Sequence, residues 1–151
     1  MKRILCATDF SGASEAAMAE AARLAGPLGA EIVLLHVTTD GPMWREGLPP
    51  SVRRVMEAQR EWVARELAAR VTTLAATGVS GRALVKTGTA WEEIVGTARA
   101  EGVDLIVMGT EGRTGLNRVL LGSVAENVVR HAGCPVMTVR GHASEPKDGN
   151  R

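Results

Sequence analysis

Short apolar runs alternate with longer amphipathic stretches along nearly the whole chain, and this alternation restricts the fold more than any other feature. Lys2 to Thr8, Ala30 to Val37, Arg82 to Thr87, Asp104 to Met108 and Pro135 to Arg140 read as strands. Gly12 to Ala25, Ser51 to Ala76, Ala90 to Ala100 and Ser123 to His131 read as helices. The order is β-α-β-α-β-α-β-α-β. Strands joined by crossover helices imply an α/β fold with an open, parallel, doubly wound sheet of five strands. The second strand, Ala-Glu-Ile-Val-Leu-Leu-His-Val, is almost continuously apolar, as a strand covered on both faces must be.

Punctuation along the chain supports these boundaries. Ser11 is an N-cap candidate, and Glu15 falls in the first helical turn. Ala16, Ala17, Ala21 and Leu24 form a small-residue face, and Gly26-Pro27 is read as the end of that helix. Thr38 to Pro50 is a Gly- and Pro-containing loop, long for a compact domain. In the long second helix Val52, Val55, Met56, Trp62, Val63, Leu67, Val71 and Leu74 form the expected inward stripe, with Trp62 read as core. Arg82 and Lys86 suit an edge position for the third strand. Residues 141–151 read as a polar, disordered tail after a domain spanning 1–140.

Composition narrows the class. With 151 residues and 45% apolar content the chain suits one domain with a real core. A net charge of +1 disfavours nucleic acid or an acidic membrane as the partner. No apolar run approaches the roughly 18 residues of a membrane span, and the start does not read as a signal peptide. Two isolated cysteines, Cys6 and Cys134, in apolar contexts read as small buried hydrophobes and fit a reducing, cytoplasmic setting.

In a doubly wound sheet, ligands bind beyond the carboxyl ends of the strands, where strand order switches. Strand one ends at Thr8-Asp9 and strand four at Gly109, so these loops should flank a cleft. The loop after strand four carries Gly109, Gly112, Gly115 and Gly122-Ser123, and Ser123 opens a helix. Glycines admit close backbone approach, and a helix start offers N–H groups and the positive end of its dipole. Such a loop suits phosphate. It is neither a Walker A nor a GxGxxG motif.

The spacing Gly109-x2-Gly112-x9-Gly122-Ser123 resembles that of ATP-binding universal stress proteins. Ile4 to Ser11, Asp104 to Met108, Val119 to Glu126 and Cys134-Pro135-Val136 resemble the family as well, so the likeness runs from about Lys2 to Arg140. It implies a Rossmann-like fold of the adenine nucleotide alpha-hydrolase type, for which the expected strand order is 3-2-1-4-5. It also implies an ATP site, with Ala7 and Thr8 lining the adenosine pocket and Asp9 meeting the ribose or the metal. Val37 would meet adenine through its backbone. Met108 and Gly109 would lie under ribose and phosphates, and Gly112, Gly122, Ser123 and Val124 would hold phosphate oxygens, with Arg113 within reach. Mg²⁺ or Mn²⁺ would arrive with the phosphates. A homodimer through Val136 to Val139 is implied too. Glu111 departs from the usual basic or neutral residue at its position.

Alternatives stay open at this level. Asp9 also suits a helix-capping role, Gly122-Ser123 a plain turn and cap, Arg113 a solvated loop position and His36 a structural one. No metal-ligand spacing or catalytic base is evident, so any ATPase or autophosphorylation should be slow. A non-catalytic interaction module of the same fold, independent of ATP, is the alternative to a nucleotide-dependent stress or signalling switch. An ATP-dependent substrate-activating enzyme is a third reading, weakened by the poor pyrophosphate loop at Thr8 to Gly12.

Overall fold

The computed structural model describes residues 1–39, 47–110 and 121–141. The parts of the 38–50 loop and of the tail that fall at 40–46 and 142–151 lie outside the described residues, as do Glu111, Gly112 and Arg113.

Among the described residues the elements are β1 (Arg3–Ala7), α1 (Gly12–Leu28), β2 (Glu31–Thr38), α2 (Pro50–Ala76), β3 (Gly81–Thr87), α3 (Ala90–Ala100), β4 (Leu105–Gly109), α4 (Ser123–His131) and β5 (Val136–Val139). The strands form one parallel sheet in the order β3-β2-β1-β4-β5, as the sequence led us to expect, with β3 at one edge. Leu5 on the central strand pairs with Val33 on one side and Ile106 on the other.

Side chains alternate across each strand, so the sheet builds two cores. Ile4, Cys6, Ile32, Leu34 and Val107 pack with the alanines of α1 and with Val63, Leu67 and Leu74 of α2. Leu5, Ala7, Leu35, Ile106 and Met108 pack with Ile94 and Ala98 of α3 and with Ala125 and Val128 of α4. Both faces are therefore covered, which is why the central strands read as unbroken apolar runs.

Two helix expectations need correction. Helix α1 continues through Gly26-Pro27 and stops at Gly29, whose φ of 61° lets its N–H reach the carbonyls of Ala25 and Gly26. Pro27 withholds one N–H from the carbonyl four residues earlier, on exposed Arg23, where water can supply the missing donor. The buried face of α1 is Ala13, Ser14, Ala17, Ala21 and Ala25; of the anticipated face Ala17 and Ala21 are buried, Ala16 is half-buried and half-buried Leu24 packs against the core.

In α2 only Val63, Leu67 and Leu74 are buried, while Val52 and Val55 are exposed and Trp62 is 38% exposed. A 27-residue helix spans about 40 Å, whereas the eight-residue β2 spans about 27 Å, so one end overhangs the sheet. Trp62 is accordingly not a core residue; its ring meets Phe10 edge-on at 5.1 Å. No helix among the described residues is long and apolar enough to cross a membrane.

Candidate functional site

Strand β1 leads into α1 on one face of the sheet, and its neighbour β4 leads toward α4 on the other. Their carboxyl ends therefore part, and a cavity of ≈320 Å³ opens there. Its walls are apolar: Ala7, Leu35, Val37, Ile94, Met108 and Ala125. These strand residues share one face because alternate positions point the same way. Polar groups gather at Thr8, Asp9, Ser14, Thr110 and Ser123.

The turn after β1 is held by its own side chains. The Phe10 amide donates to Thr8 Oγ1 at 3.1 Å, and the Ser11 amide donates to Asp9 Oδ1 at 3.0 Å. Thr8 Oγ1 donates to Ser14 Oγ at 3.2 Å, and Ser14 Oγ donates to the Ser11 carbonyl at 2.8 Å. Ser11 caps α1, accepting from the Ser14 amide at 3.3 Å. The cap expected at Ser11 is thus present, and Asp9 closes the turn that leads to it. Phe10 sits at φ 65°, a conformation that costs a bulky residue about 1–3 kcal/mol.

On the other side, the Thr110 amide donates to the Val139 carbonyl at 2.9 Å, and the Gly122 amide donates to the Thr110 carbonyl at 2.7 Å. This brings the start of α4 beside the end of β4. Gly122 is the N-cap of α4 and has no side chain to satisfy the first helical amides. Among the described residues, Thr110 Oγ1 is buried without a hydrogen-bond partner, a situation that costs about 1–3 kcal/mol.

Gly109 has a role the sequence did not disclose. A Cβ there would lie 2.8 Å from Ala13 Cβ and 2.9 Å from the Ala13 carbonyl carbon. Its lack of a side chain serves the close approach of α1 to β4. A Cβ on Gly122 would lie 3.0 Å from the Thr110 carbonyl oxygen.

Ala7, Thr8, Asp9, Val37, Met108, Gly109, Gly122, Ser123 and Val124 all line the one cavity. Gly112 and Arg113 lie outside the described residues. The sequence reading missed Ser14, Leu35, Ala90, Ile94, Thr110 and Ala125 as lining residues. Leu35 was inferable, because it is two positions before Val37 and shares its face. Ser14 was inferable as the residue one turn into the capped helix. Ile94 and Ala90 were not, because nothing in the spacing fixes where α3 meets the strand ends.

His36 is half-buried, and its Nδ1 lies 2.8 Å from the Thr8 carbonyl oxygen. Cys6 is fully buried and Cys134 half-buried, and both are free thiols. No group of three or more His, Cys, Asp or Glu among the described residues is arranged to hold a metal.

Comparison with known proteins agrees with this architecture. Residues 1–140 match the model of the universal stress protein family. Universal stress protein MJ0531 of Methanocaldococcus jannaschii is 38% identical over 92% of this chain and 82% of its own length. The solved structure of MJ0577, from the same organism, superimposes with a TM-score of 0.81 at 32% identity, covering 92% of this chain and 95% of that one. A universal stress protein from Archaeoglobus fulgidus, solved in complex with dAMP, has a TM-score of 0.66 at 22% identity, covering 92% of this chain and 97% of that one. At that identity the likeness concerns the fold. By its family match and its relatives, the chain belongs to the universal stress protein family.

Proposed function

We propose that this protein binds ATP in the cavity between the ends of β1 and β4, and that nucleotide occupancy biases its conformation or its partners in a stress or signalling response. The observation that carries the reading is the composition of that cavity: an apolar wall, a polar mouth and the start of a helix. At ≈320 Å³ it falls within the range of about 300–1,000 Å³ usual for small-molecule sites. Ala7, Leu35, Val37 and Ile94 suit a base and sugar. Asp9 offers a carboxylate to a ribose hydroxyl. The amides of Ser123 and Val124, at the positive end of α4, suit phosphate oxygens, and Gly112 and Arg113 would add to them. Bound ATP would supply the charged triphosphate and bring Mg²⁺ or Mn²⁺ bridged by its phosphates. The Archaeoglobus fulgidus protein solved in complex with dAMP shows that a protein of this fold can hold an adenine nucleotide.

The protein is read as a cytoplasmic sensor with at most slow ATP hydrolysis, and as a homodimer through β5. Calorimetric titration with ATP and Mg²⁺ tests the ligand. Saturable heat is expected, and none at millimolar ATP would leave an ATP-independent interaction module as the better reading.

A further inference from the structure

We propose that His36 is a positioning residue of this site, fixing the turn from Thr8 to Ser11 from behind the sheet; the inference rests on the nucleotide-binding reading above. Along β2, Val37 faces the cavity, while His36 lies on the opposite face with Leu34, toward α1 and α2. His36 is therefore no ligand contact. It reaches the site through the main chain of Thr8.

Both peptide groups of Thr8 are taken by β2. Its amide donates to the Leu35 carbonyl at 2.8 Å, continuing the ladder. Its carbonyl lies 2.8 Å from His36 Nδ1. A carbonyl only accepts, so Nδ1 carries the hydrogen and donates. Past Thr8 the chain leaves the sheet, and the imidazole supplies the donor that a continuing ladder would have given.

The same ring supports the strained residue. Phe10, at φ 65°, meets the His36 ring in a tilted contact, with centroids 4.6 Å apart and an interplanar angle of 35°. The Phe10 ring also meets the edge-on Trp62 and the Arg70 guanidinium, 4.8 Å from its centroid. Arg70 is itself tied to Glu15 at 2.7 Å and Glu66 at 2.7 Å. His36 thus secures the residue before Asp9 by a hydrogen bond and the residue after it by ring contact. Asp9 lies between those two anchors at the cavity mouth.

Two substitutions separate the anchors. His36→Phe keeps a ring and removes the donor; His36→Asn keeps a donor near the Nδ1 position and removes the ring. ATP affinity by calorimetry, denaturation midpoint and amide exchange at Phe10 and Ser11 are measured on each full chain. His36→Phe is expected to weaken ATP binding about tenfold and to speed exchange at both amides, and His36→Asn to restore most of each. The rescue should hold even where the two denaturation midpoints differ, which a merely structural histidine would not produce. Wild-type affinity in His36→Phe overturns the proposal, and so does a His36→Asn protein that binds as weakly as His36→Phe. If His36→Phe fails to fold, loss of binding in the folded His36→Asn protein overturns it, and retained binding supports it. If the wild-type chain takes no ATP, the nucleotide reading falls and amide exchange decides the positioning role alone. Faster exchange in His36→Phe with recovery in His36→Asn then sustains it, and unchanged exchange overturns it.

Discussion

At the scale of single residues, glycines that look alike in sequence answer to different constraints. Gly109 reads as part of a phosphate loop, yet the atoms nearest its missing Cβ belong to Ala13, at 2.8 and 2.9 Å. Gly109→Ala should therefore cost about 2 kcal/mol by forcing α1 away from β4, measured as a lower urea midpoint. Gly96, inside α3, has nothing within 4 Å of such a Cβ, so Gly96→Ala should stabilise by up to about 1 kcal/mol in the same assay. Equal midpoints for the two variants would show that the approach of α1 to β4 is not tight. Gly122 lies between these cases. A side chain there meets the Thr110 carbonyl that accepts the Gly122 amide, so Gly122→Val should loosen the join between β4 and α4. An expected loss of about tenfold in ATP affinity, read by calorimetry, would reflect displaced α4 amides as much as crowded phosphate. Unchanged affinity would remove α4 from the phosphate site. The spacing singled out Gly109 and Gly122; which neighbour excludes a side chain depends on tertiary approach, which spacing does not encode.

At the scale of elements, the order and most bounds were legible, and what failed was the C-terminal end of α1 and the buried face of α2. Strand identity follows from burial on both faces, which leaves unbroken apolar runs such as Ile-Val-Leu-Leu. Helix α2 misled because amphipathic spacing records which face could be buried, not how much sheet lies beneath it. Val52 and Val55 repeat the pattern of Val63 and Leu67 but are exposed. Proline was overweighted in α1, since its missing donor affects only a carbonyl near the exposed end. The site was legible to the extent that it follows the strands: Thr8-Asp9 and Gly109 were placed by the switch point alone. Strand β5 carries the element-scale prediction. It pairs with β4 on one side, and Val136 and Val139 are only half-buried. An apolar edge of this kind invites a second copy. Val136→Lys or Val139→Lys should convert a dimer to monomer in sedimentation velocity. A variant that still sediments as a dimer would put the interface elsewhere, and a monomeric wild-type chain would end the dimer proposal.

At the scale of the whole molecule, the central strand joins the cavity to the core, and Cys6 reports on that core. It sits on β1 with no exposed surface, facing the helices α1 and α2. Burial, and then the charge of Glu15, push its thiol from 9.0 up to about 12. Glu15 is also held by Arg70, so one carboxylate acts on both the thiol and the cation behind Phe10. In the unfolded chain the thiol ionises near its ordinary value, while the folded chain keeps its proton. Between about pH 9 and 12 the unfolded state therefore binds fewer protons, and stability falls as pH rises. Cys6 alone should contribute about 1.4 kcal/mol per pH unit across that window, and nothing below it. Cys6→Ala removes this slope, although it lowers stability at neutral pH by taking a packed side chain from the core. Urea unfolding under reducing conditions at several alkaline pH values should give two stability curves that converge as pH rises. Parallel curves would mean that the centre of the sheet admits a thiolate as readily as water does, a property incompatible with a β1 sealed between two helical layers.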